Sequence, residues 1–302
     1  MKRKCALSMM WYIALPLTFL VIISFSCGSK QHVEKGAQPS LESLYQSWHT
    51  LATLRPENID YLTALQLSQE MVRNYGDDAI NKIFQVLEKP DEAPTAKMLA
   101  VMSLTPFVKP EWKDKLIPLT KSNVEVNSRV CAISLLSMIP TEEITGYLKT
   151  LLNDESPRVQ FVVITALAKR DQPEGINRLN ELWNSFTRPQ DREHILLSIP
   201  PQRATEFLHL YGEGIKDENI SHSVRREAIL MLGRFGGERE ESVLKEVLEK
   251  SMDADIKELA QDAMDAIRGR LEHSKNLGID ANLNSEALRT SPESGIDNFG
   301  NM

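Results

Sequence analysis

A small residue set inside an apolar helical pattern recurs along this chain at a spacing of about 32 residues, within the range that marks repeat architectures. From Ala228 one step forward reaches Ala260, and three steps back reach Ala132, with Ala100 and Ser68 following at the same interval. The neighbouring positions keep this register: Leu136, Leu232 and Met264 form one column, and Ile139, Phe235 and Ile267 form another. A second set, Leu116, Leu148 and Leu244, with Leu119, Leu151 and Val247 beyond it, belongs to the alternating helices. A period of this length predicts a single supersecondary unit that cannot bury its apolar face alone and completes its core by stacking on its neighbours. Only 6 % of the residues are aromatic, while Leu, Ile, Val, Met and Ala are plentiful, which suits close-packed helices better than sheets. The fold class expected is therefore all-α.

Two further copies are distorted. Val159 to Trp183 aligns without a gap on Val224 to Leu248, matching Val163 to Ala228, Leu167 to Leu232 and Leu179 to Leu244. Arg192 to Ile199 keeps the apolar spacing but ends at Pro200–Pro201, where a kink is expected. Pro110, Pro157, Pro173 and Pro189 fall where a first helical turn begins and a missing amide is harmless, and Ser40 is a good N-cap. Gly76 and Gly236–Gly237 suit helix ends, Asp154 and Asp191 suit caps or dipole partners, and Gly212 and Gly214 suggest an interhelix turn. Residues 40–273 thus read as about fourteen helices in seven antiparallel pairs. The last of them, DADIKELAQDAMDAIRGRLEHS, has the charged outer face that a terminal unit needs. Residues 274–302 are too polar to bury a core and read as a disordered tail.

The best-preserved copy, Val224 to Gly236, reads VRREAILMLGRFG. A Val-Arg-x-x-Ala start leading through apolar turns to Leu-Gly-x-x-Gly resembles the HEAT family, in particular its PBS-lyase-type branch, over roughly residues 40–273. The resemblance implies a right-handed α-solenoid of about seven helical hairpins whose inner helices line a concave face.

The first 27 residues, MKRKCALSMMWYIALPLTFLVIISFSC, place three cations before a long apolar run that ends in small residues and Cys27. This layout is that of an export signal, and its terminal cysteine resembles a bacterial lipoprotein signal, although Ser24 stands where such signals usually carry Leu and Phe25 is bulky. The resemblance implies a signal peptide over 1–26, lipidation of Cys27, and a flexible tether through residue 39. The alternative is an uncleaved membrane anchor, because the apolar run approaches the ~20 residues that span a bilayer. Either way the body faces away from the cytoplasm, since the basic residues stay inside. Gly28 rather than Asp after the cysteine points, by the enterobacterial sorting rule, to the outer membrane. With Cys5 lost in the signal and Cys27 lipidated, only Cys131 remains, so no internal disulfide is expected. Cys131 sits among apolar residues and reads as a buried, inert thiol.

Catalytic patterns are not found. The sequence has no G-x-S-x-G, no phosphate-binding loop and no Cys-x-x-Cys. HEAT-like metalloenzymes hold iron with His-Glu pairs, and no histidine here is followed by Glu. Glu206 and His209, with His194 before them, have ligand-like spacing but no evident third and fourth partner, so a surface pair is the better reading and no metal or cofactor is expected. Loss of Lys2, Arg3 and Lys4 with the signal would make the formal charge of −7 more negative still, which disfavours nucleic acid as a partner.

Basic residues recur near the starts of the inner helices at Arg129, Arg158, Arg192, Arg225 and Arg226, with Glu125, Asp154, Glu155, Asp191 and Asp217 at hand. They form either an intramolecular ladder or a stripe that meets an acidic protein partner. Trp48, Trp112 and Trp183 fall in the outer helices as packing residues. The reading that results is a lipid-anchored, non-catalytic scaffold or adaptor for an unidentified envelope protein. The alternative is an enzyme or accessory subunit, lyase-like or glycan-associated, with its site on the concave face.

Overall fold

A computed structural model describes residues 39–276, and all regular structure among them is helical. The chain divides into two compact units at Phe186/Thr187. Among the described residues of the first, ten α-helices follow in order: α1 (Leu41–Ala52), α2 (Tyr61–Tyr75), α3 (Asp77–Glu88), α4 (Pro94–Leu104), α5 (Lys113–Leu116), α6 (Val126–Leu136), α7 (Glu142–Thr150), α8 (Pro157–Lys169), α9 (Pro173–Ile176) and α10 (Leu179–Ser185). The second contains α11 (Pro189–Leu196), α12 (Leu208–Lys216), α13 (His222–Phe235), α14 (Glu238–Lys250) and α15 (Ala254–Asn276).

Within the first unit α2 packs on α4, α4 on α6, and α6 on α8, while α3 lies against α2 and α4, and α7 against α8. Within the second, α13 packs on both α11 and α15, while α12 and α14 lie against each other and against these helices. The residues of the recurring column occupy these alternate helices and all are buried: Ser68 in α2, Ala100 in α4, Ala132 in α6, Ala228 in α13 and Ala260 in α15 are small, and Val163 takes the same place in α8. A residue with little or no side chain beyond Cβ lets two helices approach closely, which accounts for the serine and alanines of the column but not for Val163.

Burial follows position in the stack. Every residue from Ser128 to Leu136 in α6 is buried, as is every residue from Phe161 to Ala168 in α8, because these helices have neighbours on several sides. By contrast α15 buries a single stripe, Ile256, Ala260, Ala263, Met264 and Ile267, and its opposite side is charged.

The expected punctuation has local causes. Ser40 accepts the amide of Ser43 at 3.2 Å, and Pro157, Pro173 and Pro189 each open a helix. Pro110 and Pro118 cannot supply interior amides, so the outer helix there breaks into 3₁₀ turns at Pro110–Trp112 and Ile117–Thr120 around the short α5. Pro200–Pro201 likewise starts a 3₁₀ segment, Pro201–Phe207, before α12. Gly76 joins α2 to α3 at φ +55°, a conformation that glycine adopts without strain. One expectation is corrected: Gly212 and Gly214 lie inside α12, not in a turn. Gly214 is there for packing, because a Cβ on it would sit 2.6 Å from Leu196 Cδ1 of α11. Trp48, Trp112 and Trp183 are buried, and the Trp48 indole donates to Ser103 Oγ at 3.2 Å.

Candidate functional site: the interhelical charge ladder

The arginines singled out from the sequence all find partners within the chain. Arg129 on α6 is 1 % exposed and bonds Asp154 in the loop before α8, with Glu155 at 3.6 Å. Arg158 donates to Asn127 Oδ1 at 2.9 Å, which ties α8 back to α6. Arg192 lies 3.8 Å from Asp217, and the buried Arg225 donates through Nε to the Ile215 carbonyl at 3.2 Å. Arg226, on the open side of α13, bonds Asp255 of α15. Each of these contacts links a helix to a neighbouring element of its own unit, as a ladder requires.

The ladder also contains a lysine in the arginine register. Lys97 precedes Ala100 by the same three positions that separate Arg129 from Ala132 and Arg225 from Ala228, so the register was the signal. It is 1 % exposed, and its ammonium donates to Glu125 Oε2 at 3.1 Å, Ser128 Oγ at 2.9 Å and the Pro90 carbonyl at 3.3 Å. Three donors meet three acceptors, which makes burial of the charge tolerable. Burial opposes ionisation of Glu125, but the amides of Asn127 and Ser128 and the Lys97 charge together hold its carboxyl below the usual range.

Two more arginines had no sequence signal, because they bond chiefly backbone carbonyls at or near helix ends. Arg170, just past α8, donates to the carbonyls of Ser137 at 3.0 Å and Ile139 at 2.5 Å and to Thr145 Oγ1 at 2.6 Å. Arg270 on α15 donates to Gly233 and Gly236 carbonyls at 2.5 and 2.9 Å, closing the end of α13. Both satisfy acceptors that an ending helix leaves open. Burial pushes both guanidinium pKa values down.

Cys131 is buried in α6, and burial pushes its thiol up to about 12. It should therefore resist a thiol reagent in the folded chain and react fully once denatured. Fast labelling of native Cys131 would contradict its placement. Cys27, the other cysteine of interest, lies outside the described residues, as do residues 277–302 of the proposed tail. No helix among the described residues is long and apolar enough to cross a membrane.

Glu206 and His209 are not drawn into a ligand set: Glu206 accepts from Arg203 at 3.0 Å, and His209 stacks on Phe207. The ligand-type cluster found among the described residues lies elsewhere, at His222, Asp253 and Asp255. An open groove between α14 and α15 is lined by Glu238, Glu241, Lys245, Arg268 and Glu272, charges of both signs that suit solvent better than an apolar ligand.

These features define a class: a protein whose regular structure, among the described residues, is all helical, with helices joined by buried apolar columns and a ladder of cations reaching acids or carbonyls of neighbouring elements. The chain matches no known family model, and no curated protein matches it.

Proposed function

We propose that this chain is a lipid-anchored bacterial envelope protein, held through Cys27, whose HEAT-like helices form a right-handed α-solenoid. The solenoid serves as a non-catalytic scaffold or adaptor for another envelope protein. The observation that carries this reading is the serial packing of alternate helices, α2–α4–α6–α8 in one unit and α11–α13–α15 in the other, with the buried column running through all of them except α11. Stacks of this kind present long surfaces suited to protein partners. The ionisable groups of the ladder are engaged in holding helices together, and Cys131 is buried with a raised pKa. Neither arrangement activates a group for chemistry.

Among the arginines, Arg192 and Arg226 keep side chains that are 26 % and 41 % exposed, whereas Arg129 is covered. Arg192 and Arg226 are the residues proposed to meet an acidic partner surface. Crosslinking in intact cells should capture one dominant envelope protein through this region, and the double charge reversal Arg192→Glu/Arg226→Glu should abolish the capture while leaving the thermal midpoint nearly unchanged. Capture that survives the reversal, or a loss of stability without a loss of capture, would refute the binding role. Fractionation tests the anchor independently: Cys27→Ser should remove the acyl chains and alter membrane retention, and unchanged lipid labelling of that variant would refute it.

A further inference from the structure

We propose that His222, Asp253 and Asp255 form a binding site for a divalent transition-metal ion of the zinc class. This inference goes beyond the scaffold reading and does not depend on it. His222 opens α13, Asp255 lies in the first turn of α15, and Asp253 immediately precedes that helix, so the three residues meet where two packed helices of one unit begin. Nε2 of His222 is 3.0 Å from Asp255 Oδ2 and 3.3 Å from Asp253 Oδ2. The three ligand atoms all lie within 4.8 Å of one another. An ion bound at about 2.0–2.2 Å by tetrahedrally arranged donors holds those donors about 3.3–3.6 Å apart. The ligand atoms are therefore near the spacing an ion requires, and small side-chain rotations would admit it.

The donor mixture gives the class of ion. One imidazole nitrogen with two carboxylate oxygens suits zinc and its neighbours in the first transition row, whereas calcium and magnesium favour oxygen alone. The imidazole is what separates this cluster from a patch of acids. Part of the site is already oriented by backbone. Asp253 Oδ1 accepts the amides of Asp255 at 3.0 Å and Ile256 at 3.2 Å, which leaves Oδ2 facing His222. Outer contacts of this kind fix a ligand before the ion arrives. The side chains of His222, Asp253 and Asp255 are 47 %, 37 % and 48 % exposed, so an ion can enter from solution and keep water in its remaining positions.

Arg226 is the built-in competitor. It lies one turn along α13 from His222 and bonds the same Asp255 Oδ2 that faces the imidazole. Its guanidinium occupies the place of a cation, and an arriving ion must displace it toward solvent.

The test is calorimetric titration of zinc chloride into the full chain, purified in detergent and stripped with chelator, paired with thermal unfolding with and without zinc. The expected results are a saturable zinc site, weakened at least about tenfold by His222→Gln and by Asp253→Asn. The asparagine keeps the helix-capping oxygen, so that variant separates ligation from folding. Arg226→Gln should bind zinc severalfold more tightly than the parent. Zinc should raise the thermal midpoint of the parent and not of His222→Gln. Absence of zinc binding, binding unchanged in both ligand variants, or an Arg226→Gln affinity no better than the parent's would each overturn the proposal.

Discussion

Replacing Gly175 with alanine is expected to destabilise the chain by about 3 kcal/mol, the upper part of the usual range for overpacking. Gly175 lies in α9, which crosses directly over the backbone of α8. A Cβ on it would stand 2.7 Å from the Leu167 carbonyl carbon and 2.8 Å from the Ile164 oxygen, and closer still to Ala168 N. Backbone cannot rotate out of the way as a side chain can. Nor can α9 retreat freely. The Gln172 amide bonds the Leu167 carbonyl at 3.0 Å, Ile176 and Leu179 are buried beyond it, and Arg178 bonds the Leu152 carbonyl at 3.0 Å. Gly146 provides the contrast, since it lies exposed in α7 and a Cβ there would meet nothing within 4 Å. Gly146→Ala should therefore stabilise by about 0.5–1 kcal/mol through backbone entropy alone. Urea unfolding of the two variants checks both signs, and equal shifts would refute the close approach of α9 to α8.

Arg129→Met is expected to cost a similar amount, about 3 kcal/mol, because it removes one partner of a covered ion pair and leaves the other charged. Arg129 is 1 % exposed and Asp154 only 8 % exposed on its side chain. Asp154 would retain the amide of Ser156 at 2.8 Å, which keeps the loss at the low end of the range for broken buried pairs. Adding Asp154→Asn removes the stranded charge and keeps that amide acceptor, so the double variant should recover part of the loss. A double-mutant cycle measured by urea unfolding tests this. Additive losses would show that the two groups do not act as a pair. The corresponding exposed pair, Arg226 with Asp255, should contribute little and should fade with added salt.

The position of each ladder cation was legible to different degrees. Arg129, Arg225 and Arg226 stand out because the repeat register sets them at the start of an apolar run, and acids lie within reach of the next unit. Lys97 shared the register but not the residue type. Arg170 and Arg270 shared neither, because an acceptor at a helix end is a product of where the helix stops, which single-sequence patterns mark loosely. The cluster of His222, Asp253 and Asp255 was equally hidden: about 30 residues of α13 and α14 separate its members, and only the packing of α13 on α15 brings them together.

What the amino-acid sequence determined was the kind of local structure and its rhythm. Apolar residues at helical spacing, prolines at first turns, and small residues at a constant period specify helices and the faces they must bury, since these depend on neighbours within a few turns. The residues of that column, small except for Val163, are buried in α2, α4, α6, α8, α13 and α15 as that rhythm requires. Tertiary structure alone decided which polar groups meet. Whether Arg129 became a covered strut and Arg226 an exposed one depended on how many helices surround each, a property of the stack that no stretch of the chain carries by itself.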